Sequence, residues 1–213
     1  MTQRWRYATL PPLLFTMRKI MACQRCGFQF NCICDIEPQL QSAADFILLT
    51  HPRECNKDTN TGVLMTRTLS SCRVEMWHRT QPPQRLLDQL QNPHYQAWLV
   101  FPSDEQHLAQ PLTLPTATDA KILLIILDAT WQEARKMVRK SPWLSQLPRI
   151  AITPQQTSNY ALRRNQQPGH LCTCEVGIEL LNLLQQPQAA QQLQTYFNHF
   201  INTYHADKSG HAK

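Results

Sequence analysis

Short apolar runs ended by turn residues recur along this chain: Phe46-Ile-Leu-Leu49, Ala97-Trp-Leu-Val-Phe101, Ile122 to Leu127, and Arg149-Ile-Ala-Ile-Thr153. Runs this short, with little polar interruption, suit strands buried on both faces. Between them the apolar positions recur at helical spacing over about 61–71, 84–91 and 131–140. Two longer helical stretches, about 171–185 and 189–205, follow and are joined by a glutamine-rich link that reads as a turn. Strand and helix in alternation predict a layered α/β fold with a mainly parallel sheet. Thr130 with Glu133 three residues on has the form of a capping box, so a helix is expected to begin at Trp131. No internal repeat is present, and the tail after Ala206 is expected to fray.

Composition narrows the function. The chain has 213 residues, 42% hydrophobic and 17% charged, which is ordinary for one globular domain with a small appendage. Its five glycines are too scattered for a G-x-G-x-x-G turn or a P-loop, which argues against dinucleotide and P-loop phosphate sites. A net charge of +6 favours a polyanionic partner: RNA, DNA or an anionic membrane face. The longest apolar run, Ile122 to Leu127, is far short of the roughly 20 residues that span a bilayer. Arg4 and Arg6 ahead of Leu10 to Phe15 faintly resemble a signal peptide. Two prolines interrupt that run, Arg18 and Lys19 follow it, and no small-residue cleavage pattern appears. A soluble cytoplasmic protein is expected.

Of eight cysteines, four crowd into Cys23-x-x-Cys26-x5-Cys32-x-Cys34. Four thiolates around one tetrahedral Zn²⁺ explain this crowding better than a disulfide framework, which would spread across a small secreted chain. Such a site leaves no open position, so the zinc is expected to be structural. A redox pair, or four ordinary thiols, are the alternatives. Residues 1–40 thus read as a basic arm and zinc knuckle, ahead of an α/β domain over 41–213. Cys55, Cys72, Cys172 and Cys174 read as buried free thiols. His170 with Cys172 and Cys174 lacks an evident fourth ligand.

Ligands of open α/β sheets bind beyond the carboxyl ends of the strands. Polar loops follow the first three runs: Thr50 to Gly62, Phe101 to Gln106, and Asp128 to Glu133. A fourth, Tyr160 to Glu175, precedes the next helix. Asp128 stands where a buried strand ends and a helix has not begun. It either caps backbone N–H groups or accepts a proton or a ligand hydroxyl. Trp131 is either core or a platform for a ligand. Arg135, Lys136, Arg139 and Lys140 pair at i,i+4 into one basic face, which suits a polyanion or simply solvent. Arg163 and Arg164, near Tyr160, add a second basic spot with an aromatic for base stacking.

Taken in order, the cysteine cluster, His51-Pro-Arg-Glu54 with Asn60-Thr-Gly62-Val-Leu64, Phe101-Pro-Ser-Asp-Glu105, Asp128-Ala-Thr-Trp131 and Gly169-His-Leu-Cys-Thr-Cys-Glu175 resemble the DTW-domain family of tRNA-uridine aminocarboxypropyltransferases. The resemblance covers about residues 20–200, with Ala129 inside the family's namesake motif. It implies a SPOUT-like α/β fold, knotted as a trefoil in its C-terminal portion, that holds S-adenosylmethionine. The implied reaction moves the 3-amino-3-carboxypropyl group to N3 of a tRNA uridine, in the variable loop as in bacterial relatives, and releases methylthioadenosine. Asp128 is then the candidate general base. The cofactor site implied comprises Phe101, Pro102, Ser103, Thr130, Trp131, Leu171, Thr173 and Glu175. Arg53 and Glu54 are assigned here to the carboxylate and ammonium of the transferred arm. Arg135, Lys136, Arg139, Lys140, Arg163 and Arg164 would bind tRNA, and Cys23, Cys26, Cys32 and Cys34 zinc. A monomer is expected. The alternatives are a zinc-containing SPOUT-type RNA methyltransferase and a non-catalytic RNA-binding module.

Overall fold

In the computed structural model, which describes residues 21–113, 120–152 and 171–209, the chain folds around one five-stranded sheet. The strands are β1 (Ala44–Thr50), β2 (Cys72–Met76), β3 (Tyr95–Val100), β4 (Lys121–Asp128) and β5 (Arg149–Ile150). They are ordered β2-β1-β4-β3-β5 and every neighbouring pair is parallel. The helices are α1 (Gly62–Thr68), α2 (Gln84–Gln91), α3 (Trp131–Lys140), α4 (Pro142–Ser145), α5 (Thr173–Leu183) and α6 (Pro187–Lys208). The α/β class and the mainly parallel sheet expected from the sequence are both present.

The apolar runs become central strands because both faces of the sheet are covered. Phe46, Leu48, Leu124 and Ile126 pack on one side against α1, α5 and α6. Ile47, Leu49, Leu123, Ile125 and Leu127 pack on the other against α2, α3 and α4. From Ile122 to Asp128 every residue of β4 is buried. Each full aliphatic burial contributes roughly 1.5–3 kcal/mol. That surplus lets this strand carry a carboxylate into the interior at its end.

Two elements depart from the sequence reading. β2 was absent from it: Arg73 and Glu75 interrupt the apolar pattern, and only Cys72 of this edge strand is buried. The preceding helix accordingly stops at Thr68 rather than 71. The expected capping box does form, with Glu133 N donating to Thr130 Oγ1 and Thr130 N to Glu133 Oε2, and α3 begins at Trp131. The chain turns between α5 and α6 at Gln185, whose φ is 59°.

The cysteine-rich segment is bound into the same core. Phe28 and Ile33 are buried with the α6 side chains, and the Phe28 ring lies 5.6 Å from Phe200 and 6.4 Å from Tyr204. Asp207, near the end of α6, accepts three consecutive backbone N–H groups, from Gln29, Phe30 and Asn31, at 3.0, 2.7 and 3.2 Å. Arg25 pairs with Glu37 beside it. The expected C-terminal knot depends on the passage from β5 to α5, most of which lies outside the described residues. Among the described residues no helix is long and apolar enough to cross a membrane.

Candidate active site and metal centre

The carboxyl ends of β1, β3 and β4 meet at one edge, with Thr50 opposite Asp128 and Val100 opposite Ile126. Beyond that edge lies a cavity of about 1170 Å³. This is at or above the upper end of small-molecule pockets, roughly 300–1,000 Å³. Its wall brings together Phe101, Pro102 and Ser103 after β3, Thr130 and Trp131 at the start of α3, and Leu171 and Thr173 at the start of α5. The Phe101 and Trp131 rings sit 6.3 Å apart, tilted by 42°. Arg135 and Arg139 continue the wall one and two turns along α3, both exposed. Lys136 and Lys140 are exposed beside them but outside the lining. The basic face is therefore two stripes, and only one borders the cavity. Arg163 and Arg164 lie outside the described residues, as do Tyr160, Gly169 and His170.

Asp128 stands one residue behind this wall. Its side chain is buried, and three donors converge on the carboxylate: Thr50 Oγ1 at 3.1 Å and Asn60 Nδ2 at 2.9 Å on Oδ2, and Thr173 Oγ1 at 2.8 Å on Oδ1. Only Thr173 of these lines the cavity. Burial pushes the Asp128 carboxyl above the ordinary Asp range, although the bonds from Asn60, Thr173 and Thr50 each pull the other way. Asn60 also turns the chain into α1, its Oδ1 accepting from Gly62 N at 2.7 Å. A Cβ on Gly62 would stand 3.0 Å from Leu48 Cδ1 and 3.2 Å from Asp128 Oδ1, so any larger residue would press on both side chains.

Glu175 is outside the lining and caps α5, accepting from Cys172 N at 2.8 Å. Arg53 and Glu54 lie outside the lining. Arg53 is 80% exposed and reaches Glu133 at 3.9 Å, while Glu54 is buried and paired with Lys57 at 2.6 Å. His51 stacks on Trp77 with centroids 5.4 Å apart and approaches Glu133 at 3.6 Å. Sequence reasoning passed over two cavity residues, Arg149 and Asp104, which pair at 2.6 Å. The available signal was a lone arginine heading an otherwise apolar run.

The four thiols of Cys23, Cys26, Cys32 and Cys34 lie within 4.8 Å of one another. Sγ pairs stand at 3.8 Å (Cys23–Cys34), 3.7 Å (Cys26–Cys32) and 3.7 Å (Cys32–Cys23). A tetrahedron with metal–sulfur bonds of about 2.3 Å has edges of about 3.8 Å, so the cage fits a metal ion. Gly27 supplies the turn, with φ 78° and its N–H donating to Cys23 O at 2.8 Å. Backbone N–H groups of Cys26 and Arg25 pull the Cys23 thiol down to about 6. All eight cysteines are free thiols.

A family model described as the DTW domain matches residues 20–205. Among curated proteins, tRNA-uridine aminocarboxypropyltransferase 2 of Drosophila melanogaster is 25% identical over 173 residues, covering 76% of this chain and 66% of its own length. The chain thus spans about two thirds of that relative. No solved structure matches it significantly. With the domain match extending from the cysteine cage into the last turn of α6, the chain belongs to the DTW-domain family.

Proposed function

We propose that the protein transfers the 3-amino-3-carboxypropyl group of S-adenosylmethionine to N3 of a tRNA uridine, in the variable loop, releasing methylthioadenosine. The observation that carries this reading is the cavity beyond β3 and β4, walled by Phe101 and Trp131 and bordered by Arg135 and Arg139, in a DTW-domain chain. The activity named for the Drosophila melanogaster relative supports it. A volume of about 1170 Å³ accommodates a donor and an inserted base together. The lack of a glycine-rich phosphate loop is consistent with a donor that carries no phosphate. The parallel sheet supports a SPOUT-like fold, completed by a C-terminal trefoil knot.

In this reading Phe101 and Trp131 hold planar groups, and Arg135 and Arg139, with Lys136, Lys140, Arg163 and Arg164, engage the tRNA backbone. The sulfonium activates three neighbouring carbons, so in-line placement selects the γ-methylene of the amino-acid arm over the methyl group. N3 forms its bond to that carbon as the carbon–sulfur bond breaks, and the electron pair leaves on sulfur. The N3 proton passes to Thr173 Oγ1 while the hydroxyl's own proton moves to Asp128 Oδ1, 2.8 Å away. The cysteine cage holds a structural Zn²⁺. The protein works as a monomer in the cytoplasm, where its tRNA substrate resides.

The test is incubation with unmodified tRNA and donor labelled separately in the methyl group and in the amino-acid arm. Arm label in a modified uridine, with methylthioadenosine released, is the expected result. Methyl label in the RNA would establish a methyltransferase instead, and label from neither position would leave an RNA-binding module.

A further inference from the structure

The structure carries a second charged device inside the cavity wall, separate from the Asp128 cluster. Arg149 heads β5, and its side chain is only 1% exposed although it lines the cavity. Its Nη1 donates to Asp104 Oδ2 at 2.6 Å and to the Pro102 carbonyl at 3.3 Å. The guanidinium carbon lies 5.4 Å from the centre of the Phe101 ring. The Nε is buried and has no hydrogen-bond partner among the described residues. A buried donor of a cation without an acceptor is costly, and the side chain that carries it belongs to a residue of the cavity lining. A guanidinium offers such an edge to a carboxylate in a fixed fork.

Asp104 supplies the opposite charge at the same place. Its Oδ1 accepts from Gln106 N at 3.0 Å and His107 N at 2.8 Å, with His107 Nδ1 at 3.2 Å. The Arg149 guanidinium holds its carboxyl well below the usual carboxylate range, so it stays an anion at any working pH. Asp104 is half exposed, and it is also part of the cavity wall. A ligand carrying only negative charge meets Asp104, and one carrying only positive charge meets Arg149. A group with a carboxylate and an ammonium on one carbon satisfies both.

We propose that Arg149 and Asp104 form a clamp for the α-amino-acid group of the donor, the guanidinium taking its carboxylate and Asp104 its ammonium. This rests on the reading of S-adenosylmethionine as donor. The exposed Arg135 and Arg139 remain for RNA phosphates. The clamp would fix the end of the arm, so that its γ-carbon rather than the methyl group is presented to the nucleophile.

Calorimetric binding of three compounds tests this: S-adenosylmethionine, its decarboxylated analogue and methylthioadenosine, which lacks the arm. The intact protein should bind the decarboxylated compound about tenfold or more weakly than the donor. In a folded Arg149→Gln that preference should shrink to about twofold, with methylthioadenosine affinity retained. Asp104→Asn, which keeps shape, should weaken the donor but not methylthioadenosine, and covers the case in which loss of the buried arginine unfolds the chain. Equal affinity of the intact protein for donor and decarboxylated analogue overturns the clamp while the donor reading stands. So does full discrimination in a folded Arg149→Gln. Binding of none of the three would overturn the donor reading, and the clamp with it.

Discussion

At the scale of single residues, Asp128 carries the most weight. Three donors and a position behind the wall make it the knot of four segments: the ends of β1 and β4, the Asn60 turn and the start of α5. A tie of this kind and a proton acceptor working through Thr173 predict different chemistry. If the relay operates, Asp128→Asn should lower turnover by about 10²–10⁴-fold with donor and tRNA binding retained. Thr173→Val should fall in the same range and Thr173→Ser should recover most of it, since serine restores the hydroxyl. Near-normal turnover in Thr173→Val would remove the relay. Burial raises the Asp128 carboxyl, so the acid limb of the rate profile should lie above the ordinary Asp value of about 3.9. The same shift sets a sign for stability. A raised folded pKa gives a contribution that is full below the unfolded value and lost as pH rises through the folded one. The melting temperature of Asp128→Asn relative to the intact protein should therefore climb from pH 4 towards pH 7, against an otherwise fixed cost of disturbed hydrogen bonds. A flat difference would mean that Asp128 carries no such shift.

At the scale of elements, α3 presents Trp131, Arg135 and Arg139 along the cavity and Lys136 and Lys140 beside it. Arg135→Gln with Arg139→Gln should weaken tRNA binding and reduce its salt slope by about 0.7–0.9 per lost phosphate contact. Lys136→Gln with Lys140→Gln should cost less, because that stripe does not border the cavity. Equal losses from both pairs would mean that the cavity mouth does not set the register of the RNA. The helix and its cap were legible in the sequence because the capping box and the apolar spacing are local, as was β4, whose uninterrupted apolar run has one reading. β2 was not, because an edge strand needs no continuous apolar face and Arg73 and Glu75 break the pattern. The four cavity segments were legible from the rule that ligands sit beyond the carboxyl ends of strands. What each side chain does there was not. Asn60 and Thr173 meet Asp128 from 68 and 45 residues away, and Arg149 meets Asp104 across 45, distances that no local spacing rule connects.

At the scale of the whole molecule, the cysteine cage and the last helix hold one another. The cage turns the chain so that Gln29, Phe30 and Asn31 present successive N–H groups to Asp207, and Phe28 enters the core against Phe200 and Tyr204. Metal bonds that form only in the folded state contribute directly to folding free energy. With the proposed Zn²⁺ in the cage, a chelator at neutral pH should therefore free the four thiols, lower the melting temperature and speed amide exchange in the last turns of α6. The amides of β1 and β4 should stay protected, since those strands lie inside the sheet and are covered on both faces by helices. Asp207→Asn should reproduce the α6 effect with the metal in place, at about 1 kcal/mol, or roughly 2–4 °C in melting temperature. Its pH dependence is opposite in sign to that of Asp128. Burial alone would raise the Asp207 carboxyl, but the bonds from Phe30, Gln29 and Asn31 outweigh this and hold it below the ordinary value. Its contribution is thus present above the unfolded Asp pKa and lost as pH falls through the folded one. Acid should loosen the knuckle from α6 more in the intact protein than in Asp207→Asn, on top of the metal release that protonation of the thiolates causes in both. Exchange in α6 that ignores both the chelator and Asp207→Asn would show that the helix stands without the cage, and the metal would then stabilise only its own loop.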